Sequence, residues 1–243
     1  PEILKGCHYK GGFDCVAIYL RNNPESRFFS KKGLILGGSH SPSPLNSEAH
    51  QGDLSAVLLQ NLNPLVNLIR VPKKPIILMD EWESKIKAIV ENTWNKDVNS
   101  LSGVPSWMLV LIKAVLKKTG REYLTDVWPN LEVFFHGGIS FEPYREQYKT
   151  LIPSDKMHYM ETYNASEGFF GLQDDPTDPS LLMMPDYGIF YEFIPMNEVG
   201  NAHPTVLPLE SVETGKNYAM VITTSGGLWR YQIGDTVRFT SLF

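Results

Sequence analysis

The spacing of apolar residues changes near the middle of the chain, and this change most constrains the fold. Before it, apolar residues recur at helical intervals in residues 47–64, 80–94 and 105–120. Asp80 is predicted to cap the second segment, and the third has the proline start and glycine stop typical of helix ends. A run at 33–38 is typical of a strand. The first half is therefore predicted to be mainly helical.

After the change, short runs of aromatic and β-branched residues alternate with glycine, proline and aspartate, which is typical of strands. A helical segment at 141–152 lies between the first two runs. Strand, helix and strand in this order, with an apolar first strand, predict a buried βαβ unit. The later runs predict a meander of antiparallel strands. The predicted strands cover 131–138, 156–163, 187–195, 217–224 and 228–239.

These patterns predict an α/β fold with a partly parallel sheet. We expect a helical lobe over residues 1–125 and a β-rich lobe over residues 126–243, with no flexible linker between them. The chain has 243 residues, of which 42% are hydrophobic, and this suffices for one large domain or two lobes.

Charge and composition disfavour several classes of partner. The net charge is −5, and the cationic residues are scattered rather than gathered in a stripe, which argues against nucleic acid. Cys7 and Cys15 lack metal-ligand spacing and are interpreted as reduced thiols. The most apolar stretch, residues 107–112, is too short to span a bilayer. We therefore expect a cytoplasmic protein without a membrane partner.

Three segments place small or polar residues after a predicted strand. The first ends in Gly137 and Gly138, where a flat ligand or another backbone can approach, or where the chain simply turns tightly. The second, residues 161–168, offers a ring for a base, a hydroxyl for a phosphate and a carboxylate for Mg²⁺, or else a helix cap. The third, residues 229–235, presents the Asp235 carboxylate to a vicinal diol such as ribose, or forms a plain β-turn.

The order and spacing of these segments resemble the adenylate-forming enzymes, which include acyl-CoA synthetases and luciferases. Within that group, ETYNASEG at 161–168 and LWRYQIGD at 228–235 resemble the auxin-responsive (Gretchen Hagen) family of acyl-acid amido synthetases. Other segments of the chain also resemble this family, namely CHYKGG, GLILGGS, GVPSWM and TTSGGLWRY. The resemblance covers essentially the whole chain.

The resemblance implies the large N-terminal body of the adenylate-forming fold, with ATP and Mg²⁺ as cofactors. It also implies a role for each matching residue. Gly137 and Gly138 would lie against adenine, and Tyr163 would stack on or flank it. Ser166 would contact the α-phosphate, Glu167 would hold Mg²⁺, Asp235 would bind the ribose hydroxyls and Arg230 would reach ribose or phosphate. The acyl pocket would be lined by Val104, Trp107 and Met108. Glu167, Ser166 and Arg230 are the expected catalytic residues.

The implied reaction has two steps. A carboxylic acid is activated as an acyl-adenylate, and an amine, expected to be an amino acid, then displaces AMP. The family's phosphate loop is expected to precede residue 1 and its C-terminal domain to follow residue 243, so the chain resembles an internal piece that is inactive alone. TTSGG at 223–227 lacks the following lysine of a phosphate loop and is interpreted as a hairpin turn. A thioester-forming ligase and a non-catalytic nucleotide- or acid-binding remnant remain the alternatives.

Overall fold

A seven-stranded sheet organises the first three quarters of the chain in a computed structural model, which describes residues 2–42, 50–64 and 66–242. The helices are α1 Lys10–Asn22, α2 Leu54–Gln60, α3 Val66–Ile69, α4 Lys74–Ile77, α5 Trp82–Thr93, α6 Pro105–Thr119 and α7 Arg145–Leu151. A π-helical turn, Leu4–Tyr9, precedes α1. The strands are β1 Lys32–Leu36, β2 His40–Pro42, β3 His50–Gly52, β4 Arg70–Val71, β5 Val98–Gly103, β6 Val133–Gly137, β7 His158–Ala165, β8 Gly168–Leu172, β9 Leu182–Met183, β10 Ile189–Pro195, β11 Leu207–Pro208, β12 Asn217–Thr224 and β13 Tyr231–Arg238.

The large sheet has the strand order β4-β1-β5-β6-β7-β8-β9. Its first five strands pair in parallel, and β8 and β9 are antiparallel. The predicted βαβ unit is confirmed, because β6 and β7 pair in parallel with Val133 opposite His158 and α7 lies between them in sequence. The expected α/β class with a partly parallel sheet is therefore confirmed.

The second sheet has four strands in the order β11-β10-β12-β13, all antiparallel. The predicted meander is confirmed for β10, β12 and β13. Residues 225–230 connect β12 to β13, so the interpretation of TTSGG as a hairpin turn is also confirmed.

Two apolar clusters hold these layers together. The first packs α5 and α6 on the parallel strands, and Leu101, Phe134 and Ile112 are fully buried in it. The second joins α1, β8 and the four-stranded sheet, with Phe193 and Ile222 fully buried. Both cysteines carry free, buried thiols in this second cluster.

The first half has more helix than strand, as predicted, but it also contributes three strands to the large sheet. Strands β1, β4 and β5 come from it, and the sheet crosses the expected lobe boundary near residue 125, where β5 pairs with β6. Strand β5 escaped the sequence analysis because its buried positions include Asn99 and Ser100. The Asn99 side chain donates hydrogen bonds to the backbone of Arg27 and to Glu132, which offsets the cost of burying it.

Two helix predictions also need correction. Of the helix expected over 47–64, the structure has only Leu54–Gln60 as a helix, preceded by β3, while residues 43–49 lie outside the described residues. The cap of α5 is Glu81 rather than Asp80, because the Glu81 carboxylate accepts hydrogen bonds from the backbone of Glu83 and Ser84. The third helix is confirmed, with Gly120 in the left-handed conformation at its end.

Candidate functional site

The carboxyl ends of β1, β5, β6 and β7 lie at one edge of the large sheet, because these strands are parallel neighbours. Gly37 follows β1, Val104 follows β5, Gly138 follows β6 and Ser166 follows β7. Ligands of open α/β sheets bind outside this edge. The fold therefore collects at one edge the glycine pair, the Tyr163–Glu167 segment and the start of α6, which are distant in sequence.

The glycine pair brings β6 close to two neighbours. A Cβ atom at Gly137 would lie 2.5 Å from the carbonyl oxygen of Thr162 on β7, so no other residue fits without displacing backbone. Gly138 has a φ of +83°, and a Cβ atom there would lie 3.5 Å from Val104 Cγ2. The backbone of β7 therefore approaches Gly137 closely, which confirms one of the alternatives drawn from the sequence. Gly138 lies beside the start of α6.

Ser166 and Glu167 form the turn of a hairpin, since Ala165 of β7 pairs with Gly168 of β8. The helix-cap alternative for this segment is therefore wrong. Ser166 is exposed at the turn and Glu167 is half-buried. The Glu167 carboxylate contributes to the raised pKa of Tyr163, after burial and the closer Asp235, so its charge lies near that ring.

Tyr163 and Asp235 meet from different sheets. The Tyr163 hydroxyl, on β7, donates a hydrogen bond of 2.5 Å to Asp235 Oδ2, on β13. The Tyr163 ring packs against Phe170 with 4.9 Å between the ring centroids. Burial raises the Tyr163 pKa first, and the hydrogen bond to Asp235 raises it further. The second and third segments of the sequence are thus in direct contact.

Asp235 lies within a strand and not at the turn expected from the sequence. The pairing of β12 with β13 shifts register between Ala219 and Val221, and Gly234 has a φ of +93°. A glycine with positive φ inside a strand is typical of a bulge. The irregular backbone directly precedes Asp235, whose side chain is exposed apart from its contact with Tyr163.

Arg230 precedes β13, with a φ of 46°, and does not lie on the strand as predicted. Its backbone N–H donates to Thr223 Oγ1 at 2.9 Å, which holds the left-handed turn. Its side chain forms an ion pair with Glu192, with 3.1 Å between Nε and Oε2. The Arg230 side chain therefore contacts β10 of the second sheet through Glu192.

The start of α6 carries the predicted acyl-pocket residues. Val104 and Trp107 are half-buried, and the Trp107 ring lies 5.6 Å from the ring of Trp82 on α5. Met108 is fully buried in the first apolar cluster. Trp82 was not singled out from the sequence as a pocket residue, although its place on the apolar face of α5 was the available signal.

His136 and Glu161 were also missed, although they are opposite each other on β6 and β7 directly beneath the glycine pair. His136 is 3% exposed, stacks on Phe141 at 4.2 Å, and neither ring nitrogen has a hydrogen-bond partner among the described residues. Burial, and then the charge of Arg145, lowers its pKa to about 3. Burial raises the pKa of Glu161.

Lys85 is a further buried polar group at the same edge. It is 2% exposed, and its Nζ donates to the carbonyl oxygens of Gly37 at 2.7 Å and Gly38 at 2.9 Å. Burial lowers the Lys85 pKa, and the charge of Asp53 opposes this shift. A lysine on the apolar stripe of α5, between Trp82 and Ile89, was the sequence signal for this contact.

Two family models match the chain. The model described as the GH3 family N-terminal domain matches residues 5–157, and the one described as the GH3 family central domain matches residues 182–243. Among curated proteins, the chain is 30% identical over 170 residues to an indole-3-acetic acid-amido synthetase, GH3.4, of Arabidopsis thaliana, which covers 65% of this chain and 27% of the relative. It is 28% identical over 186 residues to a 4-substituted benzoates-glutamate ligase, GH3.12, of the same species, covering 69% of this chain and 31% of the relative.

Solved structures show the same fold. The acyl acid amido synthetase AtGH3.15, in complex with 2,4-DB, superposes with a TM-score of 0.71 at 16% identity, covering 98% of this chain and 50% of that one. A 2-hydroxyisobutyryl-CoA ligase superposes with a TM-score of 0.55 at 13% identity, covering 86% and 41% of the two chains. The chain therefore spans about half the length of the solved amido synthetase, and less than a third of each curated relative named above.

Two kinds of feature are absent from the described residues. Within residues 2–42, 50–64 and 66–242, no helix is long and apolar enough to cross a bilayer. Over the same part of the chain, no three histidine, cysteine, aspartate or glutamate side chains group as metal ligands. A Mg²⁺ ion bound through one carboxylate and the phosphates of a substrate does not need such a group.

Proposed function

Because the chain belongs to the GH3 family, we propose that it forms the nucleotide- and acid-binding body of an ATP-dependent acyl-acid amido synthetase. The whole protein would activate a carboxylic acid as an acyl-adenylate and transfer the acyl group to an amine, with an amino acid as the expected acceptor. The curated relatives are named for different acids, an indole acetic acid and 4-substituted benzoates among them. The proposal therefore names the class of reaction and leaves the acid open.

The observation that carries this proposal is the meeting of Tyr163 and Asp235 beside the glycine pair. An aromatic face and a carboxylate a hydrogen bond apart match the base and the ribose of one nucleoside. The ring supplies a stacking surface, and the carboxylate accepts hydrogen bonds from the vicinal hydroxyls. At the end of the neighbouring strand, Gly138 carries no side chain that would cover the base, while the β7 backbone fills the side of Gly137.

The phosphates would extend from this nucleoside site toward the hairpin turn. Ser166 is exposed at that turn, where its hydroxyl and the backbone can donate to the α-phosphate. Glu167 is half-buried in the same turn, and a single carboxylate with nucleotide phosphates is a usual way to hold Mg²⁺. Bound there, Mg²⁺ would offset the negative charge that builds on the phosphate as the acid attacks.

The acid would lie at the start of α6. Val104 Cγ2 lies 3.5 Å from the position of a Gly138 Cβ, and this proximity supports a role for Val104 between the adenine site and the helix. Beyond it, the Trp107 and Trp82 rings offer an apolar surface to the body of the acid. The acid's carboxylate would then face the α-phosphate. The role of the chain is mainly to hold the two reactants in line, and no nucleophilic side chain is required.

Arg230 would leave Glu192 and turn to the ribose or phosphate once a nucleotide binds. The Arg230 end of this ion pair is exposed, whereas the Glu192 side chain is only 16% exposed and would lose its partner in the exchange. The Arg230 side chain is 63% exposed, which leaves it free to reorient.

Acid-dependent turnover by the whole protein tests the proposal. The purified protein is incubated with ATP and Mg²⁺ and a panel of aromatic and aliphatic acids, and pyrophosphate release is measured. Amino acids or coenzyme A are then added, and products are identified by mass spectrometry. An amide product supports the proposal. A thioester product would favour the alternative ligase, and the lack of acid-dependent pyrophosphate release from every acid would favour a non-catalytic remnant.

A further inference from the structure

We propose, on the premise of the function above, that the Tyr163 hydroxyl is a positioning group. Its hydrogen bond to Asp235 would fix the ribose-binding carboxylate beside the base-stacking ring before any nucleotide arrives. Tyr163 then contributes twice to binding: its ring contacts the base, and its hydroxyl acts on the ribose only through Asp235.

Asp235 needs such a partner because its own strand holds it poorly. It follows Gly234, whose φ of +93° breaks the regular strand, and it lies where the pairing of β12 and β13 is irregular. An exposed carboxylate on an irregular backbone samples several rotamers, and ordering it on binding costs free energy. Tyr163 is better anchored, because it pairs with Gly171 of β8 and its ring packs on buried Phe170.

The geometry favours positioning over competition. The hydroxyl of Tyr163 donates to Oδ2 of Asp235, and a carboxylate offers about four acceptor sites on its two oxygens. One O–H donor therefore leaves enough acceptor sites for both hydroxyls of a ribose. The contact also joins the two sheets, so it sets the distance between the stacking surface on β7 and the diol-binding group on β13.

The inference is tested by removing the Tyr163 hydroxyl from the protein and the two ribose hydroxyls from the ligand. Tyr163→Phe keeps the ring and removes only the hydroxyl. Binding of AMP and of 2′,3′-dideoxy-AMP to the chain is measured by NMR titration. We expect Tyr163→Phe to weaken AMP binding about three- to tenfold, the effect of one hydrogen bond. Binding of the dideoxy nucleotide should change less than about twofold, since it has no hydroxyls for Asp235 to accept.

Matched variants separate positioning from a loss of folding. Tyr231→Phe removes a hydroxyl from an exposed tyrosine of the same strand as Asp235 and should leave both affinities unchanged. Asp235→Asn removes the charged acceptor, so adding Tyr163→Phe to it should have little further effect on AMP. Circular dichroism confirms that each variant is folded.

Each other outcome overturns the inference. Equal losses for AMP and the dideoxy nucleotide would mean that the hydroxyl only maintains the fold. Tighter AMP binding by Tyr163→Phe would mean that the contact competes with ribose. Unchanged AMP binding would mean that Asp235 needs no partner. A wild-type chain that binds neither nucleotide, or binds both equally, overturns the proposed nucleotide site and the inference with it. If the wild-type chain binds AMP more tightly than the dideoxy nucleotide, the nucleotide site stands, and the results for Tyr163→Phe then bear on the inference alone.

Discussion

At the scale of single residues, the candidate site combines the half-buried Tyr163 and Glu167 with the exposed Asp235. Tyr163, Glu167 and Asp235 share one electrostatic environment, as the raised pKa of Tyr163 records. His136, on the neighbouring strand β6, is a neutral ring near pH 7, since burial lowers its pKa to about 3. These residues carry the predictions that depend on a single charge or proton.

Glu167→Gln is expected to lower the rate of adenylation by the whole protein while leaving the fold intact. A neutral amide is a poor Mg²⁺ ligand compared with a carboxylate. The measurement is acid-dependent pyrophosphate release across a Mg²⁺ titration, with the rate loss partly recovered at high Mg²⁺. Glu210→Gln, at an exposed glutamate in a 3-10 turn beside the second sheet, is the matched control. If Glu167→Gln released pyrophosphate at the wild-type rate at every Mg²⁺ concentration, Glu167 would be a residue of the turn with no role in binding Mg²⁺.

His136→Phe is expected to make stability less sensitive to acid. The folded-state pKa is about 3, below the ordinary value of 6.5, so between these values the unfolded chain binds more protons. The stability from the neutral ring is complete above pH 6.5 and is lost as pH falls toward 3. Phenylalanine keeps the stacking on Phe141 and does not titrate.

The difference appears in the pH dependence of the unfolding free energy. In this window the slope for wild type should exceed that of the variant by up to about 1.4 kcal/mol per pH unit. Glu161, with its raised pKa, contributes a slope of opposite sign in both proteins. His203→Asn, at an exposed histidine, is the control. Parallel curves for wild type and His136→Phe would contradict the prediction.

At the scale of elements, the site depends on how closely β6 and β7 approach. Gly137 lies where the two strands pair, and its missing side chain lets the Thr162 carbonyl lie within 2.5 Å of the position of a Cβ. The left-handed Gly138 then turns the chain toward Val104. The geometry of the predicted adenine surface is therefore set by two backbones rather than by side chains.

Gly137→Ala is expected to destabilise the chain by about 1–3 kcal/mol, because the added methyl group meets the backbone of β7. Urea unfolding measures the change. Gly12→Ala, in the interior of α1 with open space around it, is the control and should stabilise by about 0.5–1 kcal/mol. If Gly137→Ala had the unfolding free energy of wild type, β7 would have moved away from the added methyl group without loss of stability. Nucleotide binding should then also be retained.

At the scale of the whole molecule, the predicted nucleotide site bridges the two sheets. Tyr163 belongs to the seven-stranded sheet and Asp235 to the four-stranded one. The second apolar cluster and this hydrogen bond both connect them. A ligand held by both residues should therefore resist separation of the sheets.

AMP is expected to stabilise the folded chain against thermal unfolding. At one hundred times its dissociation constant, a ligand specific for the folded state adds about 2.7 kcal/mol. Asp235→Ala should weaken binding by about 1–3 kcal/mol, the scale of charge-assisted hydrogen bonds, so the same AMP concentration should raise Tm by only about two thirds to one tenth as much. Asp155→Ala, at an exposed turn before β7, is the control. An equal rise in Tm for wild type and Asp235→Ala would remove the ribose role.

The sequence alone determined the local character of the chain. Apolar spacing gave the helix at Pro105–Thr119, the βαβ unit around α7 and the antiparallel meander, since each depends on a period that neighbouring residues share. Motif order indicated the family, and it singled out Gly137, Tyr163 and Asp235 together.

Only the tertiary structure decided which of these residues meet. Strand β5 is buried, but two of its buried residues, Asn99 and Ser100, are polar, so the local apolar pattern does not reveal the strand. The hydrogen-bond partners of the Asn99 side chain, Arg27 and Glu132, lie far away in sequence. Asp235 lies inside an irregular strand because its pairing with β12 shifts register, and it reaches Tyr163 across two sheets. Strand register and the packing of one sheet on another depend on contacts between segments that are distant in sequence. The spacing of residues within one segment therefore does not predict them.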